Sequence, residues 1–403
     1  MRPARIAFVS DAVFPFNKGG KEKRLHEIAT QLAHAGHQVD VYTMKWWIGR
    51  GRTHVVDGVR LRAICEYRPL YSGARRSMPQ AIIFGLATLR LLFRRFDVVD
   101  VDHMPFFPLF TARLVCWVRR RRLVATWHEV WGPAYWREYL GGPGIAAAVV
   151  ERLAARMPDE IVAVSDQTAG RVRDQLKTPR PVHAIPLGVP LESIDAAPAT
   201  SARTDVIYAG RLLENKNVDI LLRAVEVCAR AGRLVTCTVI GEGPEREALE
   251  KLAVELGVSD RITFSDFVPY PQLYGRMKSA GMLAQLSTRE GFGLVVLEAN
   301  AGDIPVIAVR HPDNAAQNLI VPGRNGVVVD LDPGQVAGAI GELLDNRASF
   351  DPRSYVDGLR PAVTWEAVAT RVEAVLLNRS SQPAGRHLGG RRSFVRRRRR
   401  VGD

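Results

Sequence analysis

The strongest constraint on the fold is an alternation of short apolar segments with amphipathic segments, which begins at the N-terminus and begins again near residue 204. The first apolar segment, R-I-A-F-V-S, is typical of a β-strand, and the segment behind it repeats apolar residues every 3.6 positions, as a helix does. Those helical positions are Leu25, Ile28, Ala29 and Leu32, with Gly36 where a helix cap is expected. Alternating strands and helices predict a parallel sheet covered on both faces. We therefore predict an α/β protein with two doubly wound, Rossmann-like sheets in series.

The chain of 403 residues is longer than one hydrophobic core usually organises, which also favours two domains. The segment 186–200 is rich in proline and alanine and reads as a loop, so the boundary is placed there. We predict an N-terminal domain over residues 1–190 and a C-terminal domain over residues 191–380. Residues 381–403 hold eight basic residues and little apolar content, which predicts a disordered arginine-rich tail.

The net charge of +14 is unevenly distributed: +13 over residues 1–190, −6 over residues 191–380 and +7 over residues 381–403. This asymmetry predicts that the first part and the tail face something anionic, such as a membrane surface, a phosphorylated acceptor or nucleic acid. The segment from Arg75 to Phe96 combines a broad apolar surface with five arginines. It suits either an interfacial helix at an anionic membrane or a buried helix of the N-terminal domain.

The four cysteines form no C-x-x-C pair and have no partnering histidine pattern, which argues against a zinc site or a disulfide framework. The longest apolar run, from Ala81 to Leu89, falls well short of the ~20 residues that span a bilayer. We therefore expect a cytoplasmic protein without a metal cofactor. The segment from Arg75 to Phe96 and the arginine-rich tail predict that it associates peripherally with the inner face of the cell membrane.

Polar residues that follow the predicted strands are the first candidates for a site, because ligands of doubly wound sheets bind beyond the carboxyl ends of the strands. Arg211 follows the strand T-D-V-I-Y-A-G, and Lys216 precedes the next helix. Two fixed cations can offset the charge of a diphosphate without a metal. The alternative for this pair is two ordinary surface cations.

Glu290 and Glu298 bracket seven uncharged residues, and the turn E-G-F-G between them leads into a helix predicted from Leu294 to Gly302. The N-terminus of that helix offers N–H groups and partial positive charge to phosphate oxygens. Carboxylates beside a diphosphate would repel it unless they accept hydrogen bonds from hydroxyl groups. A nucleoside diphosphate sugar, with hydroxyls on both sides of its diphosphate, satisfies this arrangement. The alternative is one glutamate at the N-terminus of a helix and one exposed glutamate.

Two further candidates carry weaker signals. The loop K-G-G-K, from Lys18 to Lys21, lets backbone approach a bulky ligand, but it matches neither the dinucleotide-binding nor the P-loop pattern. His128 stands at a strand end among aromatic residues in A-T-W-H-E-V-W-G. An ordinary turn and a structural histidine are the alternatives.

Together these segments resemble a known family. The motifs G-R-L-L-E-N-K-N, V-I-G-E-G-P-E-R-E-A-L-E, S-T-R-E-G-F-G-L-V-V-L-E-A-N-A and V-P-G-R-N-G-V-V-V-D occur in the order and at about the intervals seen in the retaining glycosyltransferases of family 4. The early G-G loop, the segment G-H-Q-V-D-V-Y-T and T-W-H-E resemble the N-terminal half of that family. The likeness covers about residues 4–376 and implies the GT-B fold, two Rossmann-like domains with an interdomain cleft.

The resemblance also implies roles for the candidate residues. His128 and Glu290 would lie beside the transferred sugar as catalytic residues. The donor would be bound by Gly20, Arg211, Lys216, Val268, Gly291, Phe292, Gly293 and Glu298. In these roles Arg211 and Lys216 contact the diphosphate, Glu298 the ribose and Val268 the base. Two departures from the family pattern affect local detail: Asn318 replaces a common glutamate, and T-W-H-E replaces the common T-x-H-D.

The sequence thus predicts a retaining hexosyltransferase that moves a sugar from a nucleotide diphosphate sugar, without a metal, to a lipid-linked or cell-envelope glycan acceptor. The acceptor would meet the basic N-terminal domain. A sugar-nucleotide epimerase or a phosphorylase of the same architecture is one alternative. A basic nucleic-acid-binding protein is another, although the basic residues lack the interleaved aromatics of RNA-recognition patterns, so we expect no nucleic-acid partner.

Overall fold

The computed structural model describes residues 3–72 and 75–379. The predicted arginine-rich tail, 381–403, lies outside the described residues. The strands within the described residues are β1 Arg5–Val9, β2 Gln38–Lys45, β3 Thr53–Val56, β4 Val59–Glu66, β5 Tyr71–Ser72, β6 Arg75–Arg76, β7 Val98–Asp102, β8 Arg122–Trp127, β9 Glu160–Ala163, β10 Val182–Ala184, β11 Thr204–Ala209, β12 Cys237–Ile240, β13 Ile262–Ser265, β14 Ala280–Gln285, β15 Val306–Val309 and β16 Gly326–Val329.

The α-helices that cover these strands alternate with them along the chain. They are α1 Gly20–His34, α2 Met78–Ala87, α3 Phe107–Arg119, α4 Gly132–Leu140, α5 Gly144–Ala154, α6 Asp166–Asp174, α7 Leu191–Ala196, α8 Val218–Arg230, α9 Arg246–Glu255, α10 Tyr270–Lys278, α11 Leu294–Ala301, α12 Pro333–Asp345, α13 Pro352–Asp357, α14 Arg360–Val363 and α15 Trp365–Leu376. No described helix is both long and apolar enough to cross a bilayer.

Two separate sheets confirm the predicted fold class. The first has the strand order β10-β9-β8-β7-β1-β2-β4-β3, parallel except for the edge pair β3 and β4. The second has the order β13-β12-β11-β14-β15-β16, and all its pairs are parallel. In each sheet the chain first adds strands on one side of the first strand. It then crosses back and adds the remaining strands on the other side. These switch points lie between β1 and β7 and between β11 and β14, where ligands of such sheets bind.

The helix boundaries follow from local sequence signals. Helix α1 buries Leu25, Ile28, Ala29 and Leu32, the predicted stripe, and Gly36 beyond its end has a φ of +90°. Ser77 and Ser165 cap α2 and α6 with their side chains, and Asp332 does the same for α12. Each cap satisfies an N–H group that the first helical turn leaves unpaired.

The edge hairpin of β3 and β4 is an element that the motif analysis did not predict. Its turn is Asp57-Gly58, with φ of +47° and +79°. Two positive φ values in a two-residue turn match the twist of a hairpin, which is why Asp-Gly is favoured there. The sequence signal for this hairpin is the Asp-Gly dipeptide between the segments V-V and V-R-L-R.

One buried apolar cluster is shared by both sheets, and one further cluster lies on the outer face of each. The last helix, α15, packs back on the first sheet: Arg122 donates to the carbonyls of Val375 and Leu376 at 3.2 Å, and Arg371 donates to that of Ala184 at 2.8 Å. The division into residues 1–190 and 191–380 therefore stays a prediction, because α15 follows the second sheet in sequence and packs on the first.

Candidate active site

In the second sheet, two predicted site residues follow the strands at the switch point: Arg211 follows β11 and Glu290 follows β14. In the first sheet, the predicted His128 follows β8, which is one strand away from the switch point. Asp11, which the sequence analysis did not single out, follows β1 at that switch point. The backbone of Gly291 lies directly against the first half of the molecule, because a Cβ there would come within 1.9 Å of the His128 carbonyl oxygen. The two halves of the candidate site therefore face each other across one closed cleft.

The side chains of Lys216 and Glu290 form an ion pair, with 2.8 Å between Nζ and Oε2. Gln285 Nε2 also donates to the same carboxylate oxygen, at 3.2 Å. The loop that carries Lys216 is bonded to the loop that carries Glu290: the Thr288 N–H donates to the Asn215 carbonyl at 3.1 Å. The two loops thus form one unit on the second sheet.

Arg211 reaches from the second sheet toward helix α1. Its Nη2 lies 3.9 Å from Glu22 Oε1, and its Nη1 lies 3.5 Å from the hydroxyl of Tyr71. A Cβ on Gly19 would come within 2.4 Å of the Glu22 carboxylate and 3.1 Å of Arg211, so a larger residue there would displace the ends of these two side chains. A Cβ on Gly20 would meet a neighbour only at 4.0 Å. Of the two predicted loop glycines, Gly19 is therefore the one in close contact with the cation.

The turn after Glu290 brings helix α11 into the cleft. Gly293 has a φ of +90°, and a Cβ on it would lie 2.4 Å from that of Ala316, so two constraints require glycine. Phe292 points into the shared apolar cluster and anchors the turn. Among the residues that the structure describes, no side chain caps α11. Its N-terminus begins beside Glu290, as the sequence predicts, and offers backbone N–H groups at this end of the cleft.

Glu298 lies inside α11 and is buried, as is its partner Lys23 from α1. Lys23 Nζ lies 2.6 Å from Glu298 Oε1 and 2.6 Å from the hydroxyl of Tyr274. That hydroxyl also donates to Glu298, at 3.2 Å, and Lys23 stacks on the ring of Tyr270, 4.0 Å from its centroid. Burial, and then the nearby Glu298 charge, raise the pKa of Tyr274 well above its usual range, so its hydroxyl stays protonated.

Val268 precedes α10, which carries these two tyrosines. It is half-buried and packs against the shared apolar cluster. Its position between β13 and α10 places its backbone at the edge of the second sheet, on the side of the tyrosines.

His128 belongs to a buried network of charges in the first half. Its Nε2 lies 3.0 Å from Asp102 Oδ1, and Lys21 Nζ lies 3.5 Å from Asp102 and 3.0 Å from Asp11. Arg76 completes the network, 3.1 Å from Asp11. Burial raises the pKa of Asp102, but Lys21 and His128 more than offset this and hold that pKa far below its usual range. The carboxylate stays ionised and fixes the imidazole through Nε2.

No direct contact among the described residues joins Arg211 to Glu298, but helix α1 connects them. Glu22 faces Arg211 and the adjacent Lys23 faces Glu298. Arg211 and Glu298 therefore both contact the same turn of α1. Asn318, the departure from the family pattern, donates to Gln167 at 2.7 Å.

Several residues that shape this cleft were not identified from the sequence. Lys23, Tyr274 and Asp102 each lie next to a predicted residue in space, but no motif marks them. Arg289 lies within the quoted motif S-T-R-E-G-F-G, but no role was predicted for it. Lys23 could have been identified from its position in the sequence, because a lysine that closely follows a glycine loop faces the same cleft as that loop. Within residues 3–72 and 75–379, no group of three or more His, Cys, Asp or Glu side chains is arranged to hold a metal ion.

The two sheets with facing switch points, and a cleft lined by paired cations and carboxylates, define a glycosyltransferase of the GT-B fold. The sequence profile described as "Glycosyltransferase Family 4" matches residues 18–193, and the one described as "Glycosyl transferases group 1" matches residues 192–355. The chain belongs to the family 4 glycosyltransferases, which are enzymes acting on nucleotide sugars.

Named relatives extend over most of the chain. The GDP-mannose-dependent alpha-(1-6)-phosphatidylinositol monomannoside mannosyltransferase of Mycolicibacterium smegmatis is 27% identical over 84% of this chain and 88% of its own. The D-inositol 3-phosphate glycosyltransferase of Corynebacterium diphtheriae is 27% identical, covering 93% and 95%. The sucrose-phosphate synthase of Thermosynechococcus elongatus superposes with a TM-score of 0.76 at 19% identity, covering 93% of this chain and 98% of that one, which shows a shared fold.

Proposed function

We propose that the protein transfers a hexosyl residue from a nucleoside diphosphate sugar to a lipid-linked or cell-envelope acceptor, with retention of configuration, at an anionic membrane surface. The observation that carries the donor part is the unit formed by Lys216, Glu290 and the N-terminus of α11. It brings together a cation from the loop after β11 and, from the loop after β14, a carboxylate followed by the backbone N–H groups of α11.

The diphosphate is assigned to the space between Arg211 and Lys216. Departure of the diphosphate builds negative charge on its oxygens, and preorganised positive potential is the largest help that a protein gives to such a step. Arg211, Lys216 and the partial charge of the α11 N-terminus supply it. Transfer then needs no metal ion, so chelation by EDTA should leave turnover unchanged.

The sugar is assigned to the space between His128 and Glu290, and the ribose to Glu298. Retention follows if the acceptor oxygen bonds to the anomeric carbon on the face from which the diphosphate leaves. The acceptor hydroxyl then passes its proton to the departing diphosphate oxygen. No side chain in the cleft is placed as a covalent nucleophile in this scheme. Gly20, Val268 and the turn Gly291 to Gly293 would line the donor through their backbone.

The membrane part rests on the outer surface of the first half. Met78, Ile82, Leu86 and Phe93 form an exposed apolar stripe along α2 and the 3-10 turn behind it, and Phe93 is 87% exposed. The other face of the same segment is buried through Ala81, Phe84 and Leu91. The segment from Arg75 to Phe96 is thus buried on one face and exposed on the other. It has features of both alternatives that its sequence allowed, an interfacial helix and a buried helix of the N-terminal domain.

Helix α3 widens this surface. It crosses α2 tightly at Gly85, where a Cβ would come within 2.6 Å of Phe107, and it exposes Leu114, Trp117 and Val118. Arg119 donates to the carbonyl of Arg94 at 3.2 Å and so joins two arginine clusters. Residues 67–96 and 103–128 contain no Asp or Glu. An apolar face rimmed by cations without acids suits a bilayer with anionic headgroups.

The donor is tested with the full-length protein and a panel of nucleotide sugars, beginning with GDP-mannose and UDP-glucose. A bound donor raises the melting temperature by mass action, and transfer releases the nucleoside diphosphate only when a lipid acceptor is present. Product from the protein and donor alone would indicate an epimerase instead. Absence of both stabilisation and turnover with every donor would refute the proposed function. If the protein bound polyanionic RNA as tightly as it binds a nucleotide sugar, a nucleic-acid-binding function would be supported instead.

A further inference from the structure

Arg289 precedes Glu290 and sends its side chain across the cleft. Its backbone neighbours are held in the second half: the Thr288 N–H donates to Asn215 at 3.1 Å, and the Glu290 N–H donates to Asp313 at 3.0 Å. Its guanidinium lies on the face of Tyr135, 3.4 Å from the ring centroid, in the first half of the molecule. Its Nε also lies 3.2 Å from Glu129 Oε2.

The surface that receives this guanidinium is fixed within the first half. Trp131 Nε1 donates to Glu129 Oε1 at 2.6 Å and so orients that carboxylate. The buried carboxylate of Glu151 accepts from the N–H groups of Trp131 and Gly132, both at 2.9 Å, and from Trp136 at 2.8 Å. Glu129 directly follows His128. Both partners of the ion pair are therefore chain neighbours of residues assigned to the reacting sugar.

Some features of the contact between Arg289 and the first half favour the closed cleft, and others oppose it. Arg289 is only 9% exposed, and within the described residues its Nη1 has no hydrogen-bond partner. Stacking on an aromatic ring and pairing with a carboxylate favour the buried position, whereas an unpaired buried N–H disfavours it. Separation of the halves would return the guanidinium to water. Such a contact can hold a cleft closed and still release it.

We propose that Arg289 is a positioning residue: its clamp on Tyr135 and Glu129 closes the cleft and sets the place of Glu290 relative to His128 during transfer. The geometry that carries this inference is the pairing of the two immediate chain neighbours of His128 and Glu290 across the cleft. The positioning role rests on the proposed function, because it concerns the same sugar site. The charged groups assigned to the diphosphate and the ribose, Arg211, Lys216 and Glu298, all belong to the second half, so loss of the clamp affects donor binding less than transfer.

The clamp is tested by interdomain distance and by kinetics. Spin labels on Gly142→Cys and Gly338→Cys report the separation of the halves, since both glycines have open space for a side chain and the four native cysteines are buried. Arg289→Ala should shift or broaden that distance and lower kcat at least tenfold, while donor affinity changes less than threefold. Arg289→Lys keeps the positive charge but loses the planar stack on Tyr135. Its kcat and its distance distribution should therefore lie between those of the wild type and those of Arg289→Ala. Adding Glu129→Gln to Arg289→Ala should lower kcat little further, because the ion pair between Arg289 and Glu129 is already lost.

The matched control is Arg233→Ala, which removes an exposed arginine paired with Asp345 at 2.8 Å, beyond the end of α8 that is opposite to the Lys216 loop. A wild-type distance distribution together with a kcat within threefold of wild type in Arg289→Ala would overturn the clamp. If the wild-type protein turns over no nucleotide sugar while Arg289→Ala still opens the cleft, the clamp stands and the proposed function fails.

Discussion

Lys23 Nζ lies 2.6 Å from Glu298 Oε1, although 275 residues separate them in the chain. Each belongs to a different sheet-centred half, and both are buried. The carboxylate assigned to the ribose is thus neutralised by a lysine of α1. Glu290 also has a lysine partner, Lys216, but that pair lies within the second half and is partly exposed. Both carboxylates of the family pair therefore carry a lysine partner.

Replacing Lys23 by methionine should destabilise the fold, because it leaves Glu298 buried without a countercharge. Breaking one partner of a buried ion pair costs about 3–5 kcal/mol, whereas removing both is far less costly. We expect Lys23→Met to lower the free energy of unfolding in urea by about that amount, and Lys23→Met with Glu298→Gln to recover most of it. Equal stability of the single and double variants would contradict this role for the pair.

Replacing Lys216 or Arg211 by alanine should abolish transfer while leaving the fold intact. Removal of one preorganised group that stabilises developing charge costs about 100- to 1000-fold in kcat. Turnover with excess donor measures the effect, and the circular dichroism spectrum checks the fold. Lys251→Ala, which removes an exposed lysine paired with Glu247 at 2.6 Å, is the control. Near-normal turnover in the Arg211 and Lys216 double variant would refute the assignment of the diphosphate.

Gly291→Ala should block closure without unfolding either half. The new methyl group would lie 1.9 Å from the His128 carbonyl oxygen, which is a backbone atom and cannot rotate away. We expect a loss of at least tenfold in kcat, with little change in melting temperature. Gly338→Ala is the control, because open space surrounds that position on α12 and alanine favours the helix by about 0.5–1 kcal/mol. Wild-type kcat in Gly291→Ala would mean that the closed contact is not used in turnover.

Asp100 gives a pH signature. Burial raises the pKa of its carboxyl to about 6, despite a hydrogen bond from Thr126 at 2.8 Å. The folded protein keeps this proton between about pH 4 and 6, whereas the unfolded chain releases it, so stability falls as pH rises through this window and levels off above it. Relative to Asp100→Asn, the wild-type unfolding free energy should fall by at most about 3 kcal/mol. A difference that is flat from pH 4 to 7 would contradict the raised pKa.

Membrane binding should depend on both parts of the outer surface. With vesicles containing phosphatidylserine at moderate salt, Arg90, Arg94 and Arg95 changed to glutamine should weaken binding, since each cation near such a surface contributes about 1 kcal/mol. Trp117→Ser should weaken it through loss of an apolar side chain that is 71% exposed. Co-sedimentation measures both, and neutral vesicles serve as the control. Failure of the wild-type protein to bind anionic vesicles would remove the membrane proposal and leave donor chemistry untouched.

Some of the site was within reach of the sequence and some was not. Arg211 follows a strand, Lys216 precedes a helix, and Glu290 and Glu298 bracket an uncharged stretch that begins with a glycine turn. Such local signals are readable in any fold of this class. Gly19 and Gly20 look equivalent in sequence, and only the packing of Glu22 and Arg211 distinguishes them. Lys23 carries no motif at all, because its partner lies on the other half.

The sequence by itself determined the class of fold, the two sheets and the places along the chain where charged residues meet the strand ends. It could do so because hydrophobic periodicity and glycine turns act over a few residues. Only the tertiary structure decided which cation meets which carboxylate, that Arg289 crosses to Tyr135, and that α15 returns to the first sheet. These are contacts between distant segments, and their geometry depends on how two separately formed surfaces pack, which no local period specifies.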